Sequence, residues 1–284
     1  MLTDSLKTPA LGLYYLATLP KRQQAATQRE KKRQVPVMVM FYNRVADQHP
    51  NDWTITNATF RSQISWLKQR FDIVSLAEGQ RRIAADENNR PTVCITFDDG
   101  YADNCIDAVP WLLENKIPFT YFVTSDHVQS GKPFAHDEAL SCPLAPNSVE
   151  QLQKMAAAGV EIGAHTRSYA NLANLTTEEA LYDEIVGSKR DIEAFLDQPV
   201  RYFSFPFGLP ENMSTAAFRV AFQAGFWGVC SAFGGYNMPG DDSFHVQRIQ
   251  GHPDWVRFRD WLTVDPRKLQ RKKQFHLGDY RDRF

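Results

Sequence analysis

The 284-residue chain predicts an α/β fold built on a parallel sheet, most simply a (β/α) barrel. Three observations carry that prediction. Short apolar runs recur along the chain, stretches with helical spacing separate them, and polar residues gather where the runs stop.

The first run, Val35 to Tyr42, is continuously apolar, as suits a strand buried on both faces, and it stops at Asn43-Arg44. Phe60, Ile64, Leu67 and Phe71 then recur at helical spacing, and Asp72 to Leu76 reads as a second strand. Pro91 to Phe97 is a third, ending at Asp98-Asp99-Gly100. A helix over Ile106 to Asn115 precedes the strand Phe119 to Val123. A long loop is expected from Thr124 to Pro146, and it holds His127, His136 and Asp137. The helix Val149 to Ala158 leads to the strand Val160 to Ala164, which delivers His165. After a helix across Thr177 to Leu196, the strand Val200 to Phe205 is stopped by Pro206-Phe207-Gly208. The helix Ala216 to Ala224, the strand Trp227 to Ser231, a Gly-rich loop and the run Phe244 to Ile249 complete the pattern.

Hydrophobic residues make 43% of the chain, with nineteen Phe and six Trp, enough for a sizeable core and incompatible with global disorder. One domain is expected, over residues 35–253, flanked by a basic and apolar arm at 1–34 and a charged tail at 254–284. The tail clusters Arg267, Lys268, Arg271, Lys272 and Lys273, and its end is expected to be poorly ordered. A formal net charge of -1 argues against a nucleic-acid partner. Cys94, Cys105, Cys142 and Cys230 form no Cys-x-x-Cys pair and read as reduced and mostly buried. In the arm, Leu11 to Leu16 precede six basic residues between Lys21 and Arg33, so a solvated helix and a contact with an anionic membrane surface are both open readings. The apolar run is too short to span a bilayer and lacks clear leader-peptide features; a cytoplasmic location, peripheral at the membrane in the second reading, is the expectation.

Two adjacent aspartates at a strand end allow a division of labour, one binding a metal while the other serves as a base; the alternative is that they cap the next helix and make a turn. His165, the turn Phe205 to Gly208 and Arg248 stand at other strand ends, where a barrel gathers its chemistry on one face.

Taken in order, Thr96-Phe97-Asp98-Asp99-Gly100-Tyr101, His165-Thr166-Arg167-Ser168 and Phe205-Pro206-Phe207-Gly208 resemble the motifs of the polysaccharide deacetylase family, carbohydrate esterase family 4. The resemblance runs from about Val35 to about Pro253 and is nearest to a bacterial branch with a Phe-Pro-Phe-Gly third motif and a segment like Ser231 to Asn237. It implies a distorted (β/α) barrel, often of seven repeats, that hydrolyses N- or O-acetyl groups on saccharides, exopolysaccharides among them. Asp98 matches the general base, and Asp99 and His165 match two metal ligands. The implied ion, Zn²⁺ or else Ni²⁺ or Co²⁺, would polarise the acetyl carbonyl and activate water. A backbone N–H near Tyr101 would help hold the oxyanion, and Phe205, Pro206, Phe207 and Gly208 would wall the acetyl pocket.

Three positions depart from the pattern. Tyr169 stands where the second ligand histidine is expected, Asn43 replaces a strand-end histidine, and Gln250 replaces the late histidine that serves as general acid. Gln cannot donate a proton as an acid, and a phenol is a poor ligand near neutral pH, so metal affinity is expected to fall. Arg248 and His245 join Asp98 as candidate catalytic groups; His252 and the pair His136-Asp137 are further compensating candidates. Functional readings are therefore a metal-assisted saccharide deacetylase, a degenerate relative that binds saccharide without cleaving it, and hydrolysis by Asp98 and His165 without the usual metal.

Overall fold

The computed structural model describes residues 4–269 and Phe275, with side chains from Pro9 onward. Nine parallel strands, eight of them in one continuous path, form a sheet nearly closed into a barrel and surrounded by helices. In chain order the strands are β1 (Val37–Tyr42), β2 (Arg44–Val45), β3 (Thr54–Ile55), β4 (Asp72–Ile73), β5 (Thr92–Phe97) and β6 (Thr120–Val123). They continue with β7 (Glu161–Ala164), β8 (Tyr202–Ser204), β9 (Gly228–Ser231), β10 (His245–Gln247) and β11 (Ile249–Gln250). The spatial order is β10-β9-β8-β7-β6-β5-β1-β11, with β4 paired to β5 and the short β2–β3 pair set apart. β10 pairs with β9, whereas β11, two residues on, pairs with β1. The chain thus spans the seam of the barrel at Arg248.

β1 and β5 are the longest strands, paired in register from Val37 opposite Thr92 to Tyr42 opposite Phe97. Their near-continuous burial explains why the sequence carries no polar alternation there. One large core lies between the strands and the outer helices; Phe60, Ile64 and Leu67 are its contribution from the helix Asn57–Lys68. Inside the barrel, Val37, Val39, Cys94, Phe122, Tyr202 and Val246 pack together.

Four expectations need correction. The strand read over Asp72 to Leu76 stops at Ile73, and Ser75 caps a helix, Leu76–Ala84, that the sequence reading passed over. Ser75 Oγ accepts from Glu78 N, a capping signal adjoining an apolar run that resembles a strand. The expected loop from Thr124 to Pro146 contains two helices, Ser125–Ser130 and Ala135–Ala139, each too short to show a helical period. The expected single helix over Thr177 to Leu196 runs Glu178–Leu196 with a π-turn at Asp183–Gly187. In the charged tail, Trp255–Leu262 and Pro266–Leu269 are helical; Arg271, Lys272 and Lys273 lie outside the described residues.

From Asp4 to Lys31 the N-terminal segment is one helix, and it lies against the helix Trp255–Leu262. Arg22 anchors it: the guanidinium is buried, 2.6 Å from Asp260 Oδ1, and donates also to the Asp260 carbonyl at 2.7 Å. Among the described residues no helix is long and apolar enough to cross a membrane. Cys94 and Cys230 are buried, Cys105 and Cys142 half-buried, and all four are free thiols.

Candidate active site

The carboxyl ends of the strands deliver the site. Asp98 and Asp99 follow β5, His165 follows β7, Phe205 follows β8, and Asn43 follows β1. Together with Tyr169, Phe207, Phe233, Gln250, Trp261 and Lys268 they line a cleft of about 420 Å³. The chain reverses at Asp99 and Gly100, both with positive φ (71° and 89°). A Cβ on residue 100 would sit 3.0 Å from Val123 Cγ1, so both conformation and space require glycine there. Thr166, Tyr169 and Phe207 also have positive φ. Such concentration of costly backbone at one face is a mark of a functional site.

Asp98 is locked by Arg248. Nη1 donates to Oδ1 at 2.7 Å and Nη2 to Oδ2 at 2.6 Å, with both side chains buried. The other three N–H groups of Arg248 reach Thr96 Oγ1 at 3.1 Å, Ser204 Oγ at 2.7 Å and the Ser231 carbonyl at 3.0 Å. All five donors of a fully buried guanidinium are thereby satisfied. This explains how a cation can sit at the barrel seam, and the charge pair holds the Asp98 carboxylate in one orientation.

Asp99 faces different partners. Asn43 Nδ2 donates to its Oδ2 at 2.8 Å, and His165 Nε2 lies 3.3 Å from its Oδ1, an approach too poorly aligned to be a hydrogen bond. Burial pushes the Asp99 carboxyl up, but His165 and Asn43 outweigh it and leave the group below its ordinary value. His165 Nδ1 bonds the Ser204 carbonyl at 2.9 Å, and because a carbonyl only accepts, Nδ1 carries the proton. In neutral His165 the Nε2 lone pair then faces a carboxylate oxygen with no other partner. That arrangement calls for a shared cation, either a proton on Nε2 or a metal ion.

Metal dependence is general in the family. Asp99 and His165 fit two ligand positions. Tyr169 does not supply a third: burial first, then the charges of Asp99 and Asp98, hold its phenol well above the ordinary value of 10.0. Among the described residues no group of three His, Cys, Asp or Glu could hold a metal ion. The donor set present therefore does not fit a three-ligand centre.

The compensating histidines are distributed unequally. His136 and Asp137 stand beside the site: Tyr101 O–H donates to Asp137 Oδ2 at 3.0 Å and meets His136 Nε2 at 2.9 Å. Tyr169 lies between this group and His165, with ring centroids 5.4 Å from His136 and 5.6 Å from His165. His245 is not brought to the cleft. It is fully buried, with Nε2 2.9 Å from Ser231 Oγ and its ring against Phe218 and Phe233, because β10 turns that side chain into the aromatic core. His252 also lies away from the cleft, its Nδ1 accepting from Asp254 N. Tyr101 is fully buried, and its ring reaches Phe134 rather than the cleft wall. Pro206 does not line the cleft, whereas Phe205, Phe207 and Gln250 do; Gly208 packs against Ala232.

Trp261 and Lys268 were not among the residues expected at the site. Lys268 Nζ donates to the Gly234 carbonyl at 2.8 Å and lies 4.5 Å from the Trp261 ring centre. Both come from the charged tail, whose composition masks a half-apolar helix, Trp255–Leu262, with Phe258 and Leu262 buried. That periodicity was the available signal.

The sequence model of the polysaccharide deacetylase family matches residues 85–227, half of the chain. The protein YxkH of Bacillus subtilis (strain 168), which carries the family's name, is 27% identical over 199 residues, covering 69% of this chain and 65% of that protein. The chitooligosaccharide deacetylase of Bradyrhizobium sp. (strain ANU 289) is 25% identical over 152 residues, or 52% of this chain and 61% of the relative. The chain thus spans less than two thirds of either curated relative. Among solved structures, IcaB from Ammonifex degensii has a TM-score of 0.66 at 24% identity, over 81% of this chain and 98% of that one. PplD of Streptococcus pyogenes reaches 0.67 at 18% identity, over 82% and 99%. These two likenesses bear on the barrel fold alone. With the motif residues assembled at the strand ends and the family match over half its length, the chain belongs to the polysaccharide deacetylase family.

Proposed function

We propose that this protein hydrolyses an acetyl group from a saccharide, with Asp98 as the base. The observation that carries the reading is the Asp98–Arg248 pair: Asp98 lines the cleft, and two of the five satisfied donors of Arg248 hold its carboxylate in one orientation. Asp98 takes a proton from a water molecule, whose oxygen attacks the acetyl carbon. The carbonyl oxygen becomes an oxyanion; the Tyr169 O–H, in the cleft lining, and the Tyr101 backbone N–H, two residues after Asp99 and donating to no acceptor among the described residues, are the donors suited to it. The bond from the acetyl carbon to the sugar oxygen or nitrogen then breaks, the proton passes from Asp98 to that leaving atom, and acetic acid departs and ionises in solvent.

The position of Gln250 favours an ester over an amide. Expelling an amine from the tetrahedral intermediate requires that its nitrogen be protonated first, whereas an alcohol oxygen leaves with less help; Gln250 has no proton to give as an acid, which leaves the Asp98 carboxyl, held against Arg248, as the proton source for the leaving atom. Acetate release from O-acetylated and N-acetylated saccharides, measured with and without added Zn²⁺, Ni²⁺ or Co²⁺, tests the proposal. The expected result is release from the O-acetyl substrate and a loss of at least about 100-fold in Asp98→Asn. A second reading, binding without cleavage, is favoured by the neutral phenol of Tyr169 at the third ligand position. It would be adopted if saccharide bound and no acetate appeared under any of the metal conditions.

A further inference from the structure

At the opposite end of the barrel, beneath the N-terminal helix, is a second cavity of about 430 Å³. Pro36 and Pro91, which lead into β1 and β5, mark it as lying at the amino ends of the strands, away from Asp98 and Asp99. Its apolar wall is formed by Leu19, Val35, Met38, Phe71, Leu262 and Val264. Four arginines also line it: Arg22, Arg29, Arg70 and Arg259. Arg22 is committed to Asp260. The other three have no carboxylate partner among the described residues. Arg70 lies over the Trp66 ring at 4.7 Å and donates to the Gln69 side chain at 3.1 Å, and Arg259 lies over Trp255 at 5.3 Å. Arg29 is half-buried, its guanidinium makes no hydrogen bond among the described residues, and burial lowers its pKa below the ordinary value. Among the described residues, Glu30 is the one carboxylate in the lining and makes no ion pair with any of them.

Arg70 and Arg259 are exposed, but a half-buried guanidinium without an anion, as at Arg29, is costly, and an apolar wall of this size does not hold water well. Each shortcoming is answered by one half of the same kind of molecule. We propose that this cavity binds an amphiphilic anion, a phosphate or carboxylate head on an alkyl chain, with the head at Arg29, Arg70 and Arg259 and the chain along Met38, Phe71 and Leu262. Guanidinium forks match such oxyanions in geometry as well as charge. The volume lies within the range of small-molecule sites. The inference stands apart from the reaction assigned to the cleft, since the two cavities share no lining residue.

Calorimetric titration of the full chain with dodecyl phosphate below its micellar concentration tests it, with inorganic phosphate and dodecanol as separate arms. One molecule of dodecyl phosphate per chain is expected, with each separate arm at least tenfold weaker. Arg29→Gln with Arg70→Gln should weaken binding at least tenfold while leaving the melting temperature unchanged, because neither side chain has a carboxylate partner to lose. Asp98→Asn should bind as the parent does. Absence of dodecyl phosphate binding, or equal binding by the double variant, overturns the proposal. Inorganic phosphate binding as tightly as dodecyl phosphate overturns the role of the apolar wall, and dodecanol binding as tightly overturns that of the arginines.

Discussion

The two ends of the barrel treat arginine in opposite ways. At the carboxyl end, Arg248 is fully buried and every N–H has an acceptor, two of them on the carboxylate that it orients. At the amino end, Arg29, Arg70 and Arg259 line an apolar cavity and make no ion pair with a carboxylate among the described residues. A satisfied guanidinium fixes geometry, because moving it breaks several charge-assisted bonds at once. An unsatisfied one at a cavity rim leaves attraction in reserve for something that comes from outside. The first end is built for positioning, the second for capture.

The largest break in that comparison is Arg248→Met. It strands the Asp98 charge in the core, and a loss of about 4 kcal/mol in denaturant unfolding is expected. Arg22→Met should cost about 3 kcal/mol, somewhat less, since Arg267 Nη2 remains 3.3 Å from Asp260 Oδ2. Its unfolding should also expose the N-terminal helix to protease first. Arg29→Met, by contrast, should stay within about 0.5 kcal/mol of the parent, and a larger loss would mean that Arg29 has a structural partner.

Tyr169→His sharpens the carboxyl end. It adds a third ligand, a second nitrogen, beside Asp99 and His165, and Zn²⁺ affinity in calorimetry is expected to rise at least tenfold, about 1.4 kcal/mol. Unchanged affinity would show that Asp99 and His165 are not disposed toward a common ion. The smallest effect is at the amino end. Arg81 hydrogen-bonding first, with Arg82 helping against the cost of burial, holds the Glu78 carboxyl at about 2. A carboxyl depressed in the folded state stabilises it above the ordinary value of 4.5, and that contribution disappears as pH falls through about 2. The partly exposed Glu78→Gln should therefore lower stability by about 0.5 kcal/mol at pH 6 and match the parent near pH 2, read by thermal melts at both.

Much of this molecule was legible as sequence. The apolar runs at β1 and β5 place themselves because strands buried on both faces admit no polar alternation. The motif residues Asp98, Asp99 and His165 could be named together because they end strands of one parallel sheet. The helix Leu76–Ala84 was obscured because its first residue closes an apolar run of strand type, and only the Ser75 cap separates the two. His245 was a candidate to compensate for the missing histidines, yet it is fully buried against Phe218 and Phe233 and does not itself line the cleft. Trp261 and Lys268 were hidden for the converse reason, since distance in sequence says nothing about which tail helix folds back over a cleft.

The chain alone therefore determined its family, its principal barrel strands and the substitution of Tyr169, Asn43 and Gln250 for histidines, because local composition and motif order do not depend on what meets in space. Only the tertiary structure decided that Arg248 closes the barrel onto Asp98, that Asn43 serves Asp99 as a hydrogen-bond donor, and that an arginine-rimmed cavity lies at the far end. Each of those is a contact between residues 56 or more positions apart, or a space bounded by several elements. Charge pairing and burial are settled by such long-range closure, which a one-dimensional pattern does not encode.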